Sequence, residues 1–159
     1  MKNNVLDATI RAATFEDLST IITLLADDKL GKQRESSISG QDELPDCYVT
    51  AYHEIMNHKN QQLLVMELNS EIVGCLELTF IQSLTRNGGL RANVEGVRIK
   101  SESRGKGLGK QFFNYIKEIS INKGCQIIQL TTDNDRSDAK KFYESIGFVA
   151  SHTGMKMKL

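Results

Sequence analysis

The chain is poor in the residues that mark linkers, disulfide frameworks and metal sites. Its 159 residues include a single proline, Pro45, so no proline-rich linker divides it. Three cysteines, Cys47, Cys75 and Cys125, form an odd, widely spaced set with no C-x-x-C pair. Neither a disulfide framework nor a zinc site follows, and no metal is expected. An excess of either charge is also lacking: 20 basic residues stand against 20 acidic ones. Binding nucleic acid through phosphate contacts usually needs a basic surplus, so no nucleic-acid partner is expected. Long apolar runs are missing too. The longest, Leu63-Leu64-Val65-Met66, is far too short to span a bilayer, and Met1–Asp7 holds no hydrophobic signal core. The expectation is a cytoplasmic protein with no membrane partner.

What is present is an ordinary globular composition, 40% hydrophobic and 25% charged. With no repeat or low-complexity segment, residues 1–159 read as one domain. Thr9-Ile10-Arg11 reads as a first strand. Thr14 and Asp17 have capping-box spacing before a stripe of Leu18, Ile21, Ile22 and Leu25. Asp27 to Asp46 reads as a long polar loop, and Pro45 to His58 as a second helix. Strands are predicted at 63–68, 72–81 and 93–100, with Asn69-Ser70-Glu71 turning between the first two. A helix with Leu108, Phe112, Tyr115, Ile116 and Ile119 on one face ends at Lys123-Gly124. A strand at 126–131 follows. The last helix, capped by Asp133 or Asn134, carries Ala139, Phe142, Tyr143 and Ile146 and stops at Gly147. Residues 148–151 and 155–159 are predicted to close the chain as a strand pair. This order makes a mixed α/β sheet domain.

The stretch Val97–Gly109 is the most informative. A strand runs into Arg104-Gly105-Lys106-Gly107-Leu108-Gly109, and a helix begins there. Glycines let the backbone approach an anion closely, and a helix's first turn offers free N–H groups. Between Val97 and Lys117 lie Arg98, Lys100, Arg104, Lys106, Lys110 and Lys117 against the single acid Glu102. In a chain of zero net charge this local surplus points to a phosphorylated ligand. The P-loop pattern fails at Arg104 and at Gln111. The dinucleotide pattern fails at Lys110 and at Phe112. A ligand-free glycine turn is the plainer alternative on this motif alone.

Arg104-x-x-Gly107-x-Gly109 resembles the first signature of the GCN5-related N-acetyltransferase (GNAT) superfamily. Val97-Arg98-Ile99 resembles that family's end-of-strand segment. Asn134 with Ala139-Lys-Lys-Phe142-Tyr143-Glu-Ser-Ile-Gly147-Phe148 resembles its second signature. The resemblance implies a GNAT-like sheet, mostly antiparallel and flanked by helices, in which a splayed parallel strand pair forms a cleft for acetyl-CoA. It also implies that main-chain groups of Val97, Arg98 and Ile99 bind the pantetheine arm. The N–H groups of Arg104, Gly105, Lys106, Gly107, Leu108, Gly109 and Lys110 would hold the diphosphate. Asn134 and Ala139 would border the coenzyme, and the Tyr143 hydroxyl would sit beside the thioester sulfur. Many members carry proline where Ser101 stands here, which only stiffens a turn. Dimers are frequent in the family, so a homodimer is among the expectations.

Acetyl transfer to an amine needs a neutral nucleophile, although a lysine-type amine titrates near roughly 10.4. It also needs a donor for the developing oxyanion and a proton for the departing thiolate. Tyr143, on the inward stripe of the last helix, is the candidate acid. Glu95 is the candidate base, placed by strand alternation on the same face as Val97 and Ile99. Glu77 is the second candidate, and solvent with positioning alone is the remaining alternative.

The acceptor is expected to be a small-molecule primary amine. Asp27, Asp28, Glu35, Asp42, Glu43 and Asp46 would suit a cationic acceptor, and a solvated loop is the plainer reading. Arg86 and Arg91 pull toward a carboxylate-bearing one. The alternative function is an acyl-CoA-binding regulatory module without catalysis. His53-Glu54…His58 misses the metalloprotease spacing by one residue, and a helix would set the two histidines about 140° apart.

Overall fold

The apolar run Leu63-Leu64-Val65-Met66 of Gln61–Leu68 (β2) and the alternating Leu76, Leu78 and Phe80 of Glu71–Gln82 (β3) bring these segments together as a hairpin in the computed structural model. The structure describes residues 8–35 and 43–159. Asn69 and Ser70 take φ of 51° and 63° between the strands, the paired left-handed turn that suits the strand twist. Thr9–Ala12 (β1) pairs antiparallel with β2, and Leu90–Ile99 (β4) antiparallel with β3. Ile127–Leu130 (β5) lies beside β4 as the parallel pair of the mixed sheet, giving the order β1-β2-β3-β4-β5. The Gln126 N–H donates to Leu90 O at 2.8 Å. The four-residue β5 therefore starts at the beginning of the ten-residue β4, and the rest of β4 runs on past it.

The expected N-terminal helix divides into a 3-10 turn, Phe15–Asp17, and Leu18–Leu25 (α1). The Asp17 carboxylate accepts the Thr14 N–H at 2.8 Å, as the capping spacing implied. Leu18, Ile21, Ile22 and Leu24 are buried and pack with Leu63, Val65 and Cys75 on one sheet face. Asp46–Asn57 (α3) adds Tyr52 to the same cluster. The 27–46 stretch is not all loop: Lys29–Arg34 forms a short helix (α2), begun by Asp28, whose carboxylate accepts the Gly31 N–H at 2.6 Å. Asp42 lies outside the described residues.

Thr85–Gly88 (α4) is a single turn in which Arg86 and Asn87 are left-handed, with φ of 55° and 57°. Leu108–Asn122 (α5) buries Leu108, Phe112, Phe113 and Ile116, and Lys123 beyond its end lies over the Phe80 ring. Gly124, at φ 84°, ends the helix as expected.

Contacts divide the chain into two units, residues 1–129 and 130–159. The second unit holds Ser137–Ser145 (α6), with Ala139, Phe142, Tyr143 and Ile146 half-buried along one stripe. Gly147 stops the helix at φ 102°. Two expectations fail in this unit. Arg136, not Asp133 or Asn134, stands at the helix cap, because the Asp133 carboxylate is used on the Asp135 N–H at 3.1 Å. Residues 148–151 and 155–159 form no strands. The Ser151 N–H instead bends back to Val149 O at 2.9 Å, and Met155 and Met157 are 91% and 87% exposed. Alternation makes a segment compatible with a strand, but only a ladder partner makes it one.

Candidate functional site

Strand β4 carries a defect that decides where its side chains go. Cys75 pairs with Arg98 and Glu77 pairs with Glu95, so β4 uses one residue more than β3 between these pairs. Gly96, at φ 61°, absorbs the surplus in a left-handed conformation. Alternation therefore changes phase within the strand. Glu95 shares its face with Glu77, Cys75 and Arg98, whereas Ile99 pairs with Gly74 on the other face. The expectation that Glu95, Val97 and Ile99 share one face is overturned, because period-two reasoning assumes an unbroken ladder.

The face that holds Glu95 is the one covered by α1. Glu77 is half-buried there. Burial, followed by the charges of Glu95 and Glu35, pushes its carboxyl above the ordinary range. Glu95 is exposed, and the Asn93 amide donates to it at 3.2 Å. Asn93 in turn accepts from the Gln129 amide at 3.1 Å. The Tyr48 hydroxyl donates to Glu35 at 2.8 Å, joining the end of α2 to α3. Arg91 donates to Ser83 Oγ at 2.8 Å and to Gln129 Oε1 at 3.3 Å, so it braces the α4 turn and the β4/β5 pair.

The glycine-rich turn follows β4. The chain reverses through a 3-10 turn at Ser101–Ser103, and Gly105 and Gly107 take φ of 75° and 82°. The Arg104 N–H already donates to Ser101 O at 3.3 Å. It is therefore not among the donors the turn leaves free, contrary to the sequence expectation for that group. Among the described residues, no main-chain or side-chain acceptor takes the N–H groups of Gly105 through Lys110. A Cβ placed at Gly105 or Gly107 would meet nothing within 4 Å. Successive free N–H groups at the start of a 15-residue helix, beside Lys106 and Lys110, have the donor set that a diphosphate requires.

Besides Glu35, two acids of the stretch read as a solvated loop are engaged. Asp27 accepts the Ser101 N–H at 2.9 Å and pairs with Arg104 at 3.3 Å. Asp28, besides starting α2, lies 3.8 Å from Arg98 Nε. Arg98 also donates to Leu25 O at 3.3 Å and to Val97 O at 2.8 Å. Sequence reading missed the links of Asp27 and Asp28 to Ser101, Arg104 and Arg98 because partners seventy or more residues apart leave no local signal.

In the second unit, Asn134 is exposed and Ala139 lies on the half-buried stripe of α6. The Tyr143 ring meets Phe142 at 5.4 Å and Phe148 at 5.8 Å between centroids. Cys125 is partly exposed, while Cys75 is 1% exposed with its thiol pushed up to about 12 by burial. Among the described residues, no helix is long and apolar enough to cross a membrane.

Comparison with known proteins gives a consistent pattern. The model of the Acetyltransferase (GNAT) family matches residues 24–148. A glucosamine 6-phosphate N-acetyltransferase of Trypanosoma brucei brucei is 34% identical over 88 residues, 55% of this chain and 58% of that protein. A probable glucosamine 6-phosphate N-acetyltransferase of Drosophila melanogaster is 31% identical over 81 residues, 51% of this chain and 36% of that protein. The chain thus spans less than two thirds of either curated relative. A crystal structure described as a transcriptional regulator from Bacillus halodurans C-125 is 46% identical, with a TM-score of 0.90 over 96% of this chain and 100% of that one.

Proposed function

The chain belongs to the Acetyltransferase (GNAT) family, and from that premise we propose that it is an N-acetyltransferase moving the acetyl group of acetyl-CoA to a primary amine. The observation that carries the reading is the run of free N–H groups from Gly105 to Lys110 at the start of α5. These groups hold the diphosphate, and main-chain groups of Val97, Arg98 and Ile99 guide the pantetheine arm toward the acceptor side of β4. Residues 1–159 act as one catalytic domain in the cytoplasm.

Transfer proceeds by direct attack of the amine, with no acyl-enzyme. The amine arrives as an ammonium and must lose a proton first. Glu77 and Glu95 take that proton as a pair, Glu95 meeting solvent and Glu77 supplying the raised affinity that burial gives it. Tyr143 donates to the departing thiolate, and Asn134 and Ala139 line the coenzyme. Glu35, Glu77 and Glu95 favour a small cationic acceptor. The curated relatives' names make glucosamine 6-phosphate the first compound to try.

The second reading is an acyl-CoA-binding regulatory module without catalysis. The similarity to a structure described as a transcriptional regulator favours it. Calorimetry with acetyl-CoA and with ATP tests the coenzyme: acetyl-CoA is expected to bind, and tight ATP binding alone would sink both readings. Thiol release over a panel of amines separates enzyme from regulator. Release stimulated by an amine is the expected result, and silence across a broad panel favours the module.

A further inference from the structure

We propose that Asp27 is a positioning residue for the glycine-rich turn, fixing the direction of the N–H groups from Gly105 to Gly107 through Ser101 and Arg104. The inference rests on the reading that this turn holds the coenzyme's diphosphate.

Asp27 reaches the turn at two points. Its Oδ2 accepts the Ser101 N–H at 2.9 Å, where the 3-10 turn opens, and the Arg104 Nη2 at 3.3 Å, where it closes. Its main-chain oxygen takes a second bond from Arg104 Nη2 at 3.1 Å. Arg104 Nε meanwhile donates to Ile99 O at 2.8 Å, tying the start and finish of the reversal together. Beyond Arg104 the chain has little else to hold it. Gly105 and Gly107 are the residues with the widest choice of φ and ψ, and the space beside each is open. Packing therefore does not fix the N–H directions of Gly105 to Gly107, and the upstream anchor must, whereas those of Leu108 to Lys110 follow α5, which buries Leu108 and Phe112. Asp27 is well placed for this, because it directly follows Ala26, whose N–H bonds back to Ile22 O of the buried helix α1. The Arg104 guanidinium is accordingly a tether for the loop rather than a direct ligand.

The test compares two acetyl donors, acetyl-CoA and S-acetylpantetheine, which lacks the diphosphate. In Asp27→Asn and Asp27→Ala, KM for acetyl-CoA is expected to rise at least tenfold with kcat within about twofold. KM for S-acetylpantetheine is expected to stay at the wild-type value, an outcome that general damage to the fold would not give. A second arm uses Ser101→Pro. Lys100 is already extended at φ −48° and ψ 134°, as a residue before proline should be, and proline stiffens the turn without the N–H that Asp27 holds. In that background the effect of Asp27→Asn should shrink at least threefold. Equal KM changes for both donors, or none for acetyl-CoA, would overturn the role of Asp27 alone. A wild-type protein that binds no acetyl-CoA by calorimetry would overturn the functional reading with it.

Discussion

Glu77 and Glu95 stand directly opposite each other across the antiparallel β3/β4 pair. Glu77 is half-buried there, and like charges in that arrangement also repel. Its carboxyl is therefore raised above the ordinary 4.5 in the folded protein. The native state holds this proton more tightly than the unfolded chain does. Stability is then unaffected below the ordinary value and falls as pH rises through the raised one. Glu77→Gln should raise Tm at pH 7–8 and change it little at pH 4. Thermal melts across that range check the sign.

The same pair predicts a pH profile. If Glu77 is the proton acceptor, kcat/KM should fall on the acid side as Glu77 protonates, and Glu77→Gln should abolish that limb while lowering kcat by about 100-fold. Glu95→Gln should shift the limb to lower pH, because it removes a neighbouring negative charge. Initial rates with a fixed amine from pH 5 to 9 provide the measurement.

Gly107 sits at φ 82° in the turn that precedes α5. Gly107→Val places a β-branched residue in the left-handed region, at a cost of about 1–2 kcal/mol or more, although its Cβ meets no neighbour within 4 Å. The turn should relax to another conformation and scatter the free N–H groups. Calorimetry should show acetyl-CoA affinity reduced more than tenfold, with Tm lowered modestly.

Tyr143→Phe keeps the ring contacts with Phe142 and Phe148 and removes only the hydroxyl. A drop in kcat of about 100-fold, with the acetyl-CoA KM near wild type, is the expected signature of a lost proton donor. Equal turnover would remove Tyr143 from the mechanism.

Asp17 is 8% exposed and accepts from Arg11 at 2.6 and 3.1 Å. The Arg11 hydrogen bonds outweigh burial and hold its carboxyl below the ordinary 3.8. Its contribution is full above that value and is lost as pH falls through the depressed one. Asp17→Asn should cost about 1–2 kcal/mol at neutral pH and less near pH 2, measured by urea denaturation.

Much of this architecture is legible in the sequence. The β2–β3 hairpin, the α1 stripe and the glycine turn all rest on short-range patterns: alternation, a 3.6-residue period, and glycine before a helix. The two signatures lie in the right order for the family because each is local. What escaped was non-local or subtractive. Gly96 reads as one more strand residue until its register against β3 is known. Asp27 and Arg104 meet across 77 positions of sequence. Residues 155–159 alternate cleanly but lack a ladder, which sequence cannot reveal.

The surplus residue at Gly96 has a consequence for how this protein can change over time. Point substitutions downstream of it alter a side chain but leave its address intact. Deleting that one glycine would exchange the addresses of every residue from Val97 to Ile99 at once, turning Arg98 away from Leu25 and bringing Ile99 round in its place. The segment should thus accept drift in its letters far more readily than any change in their number.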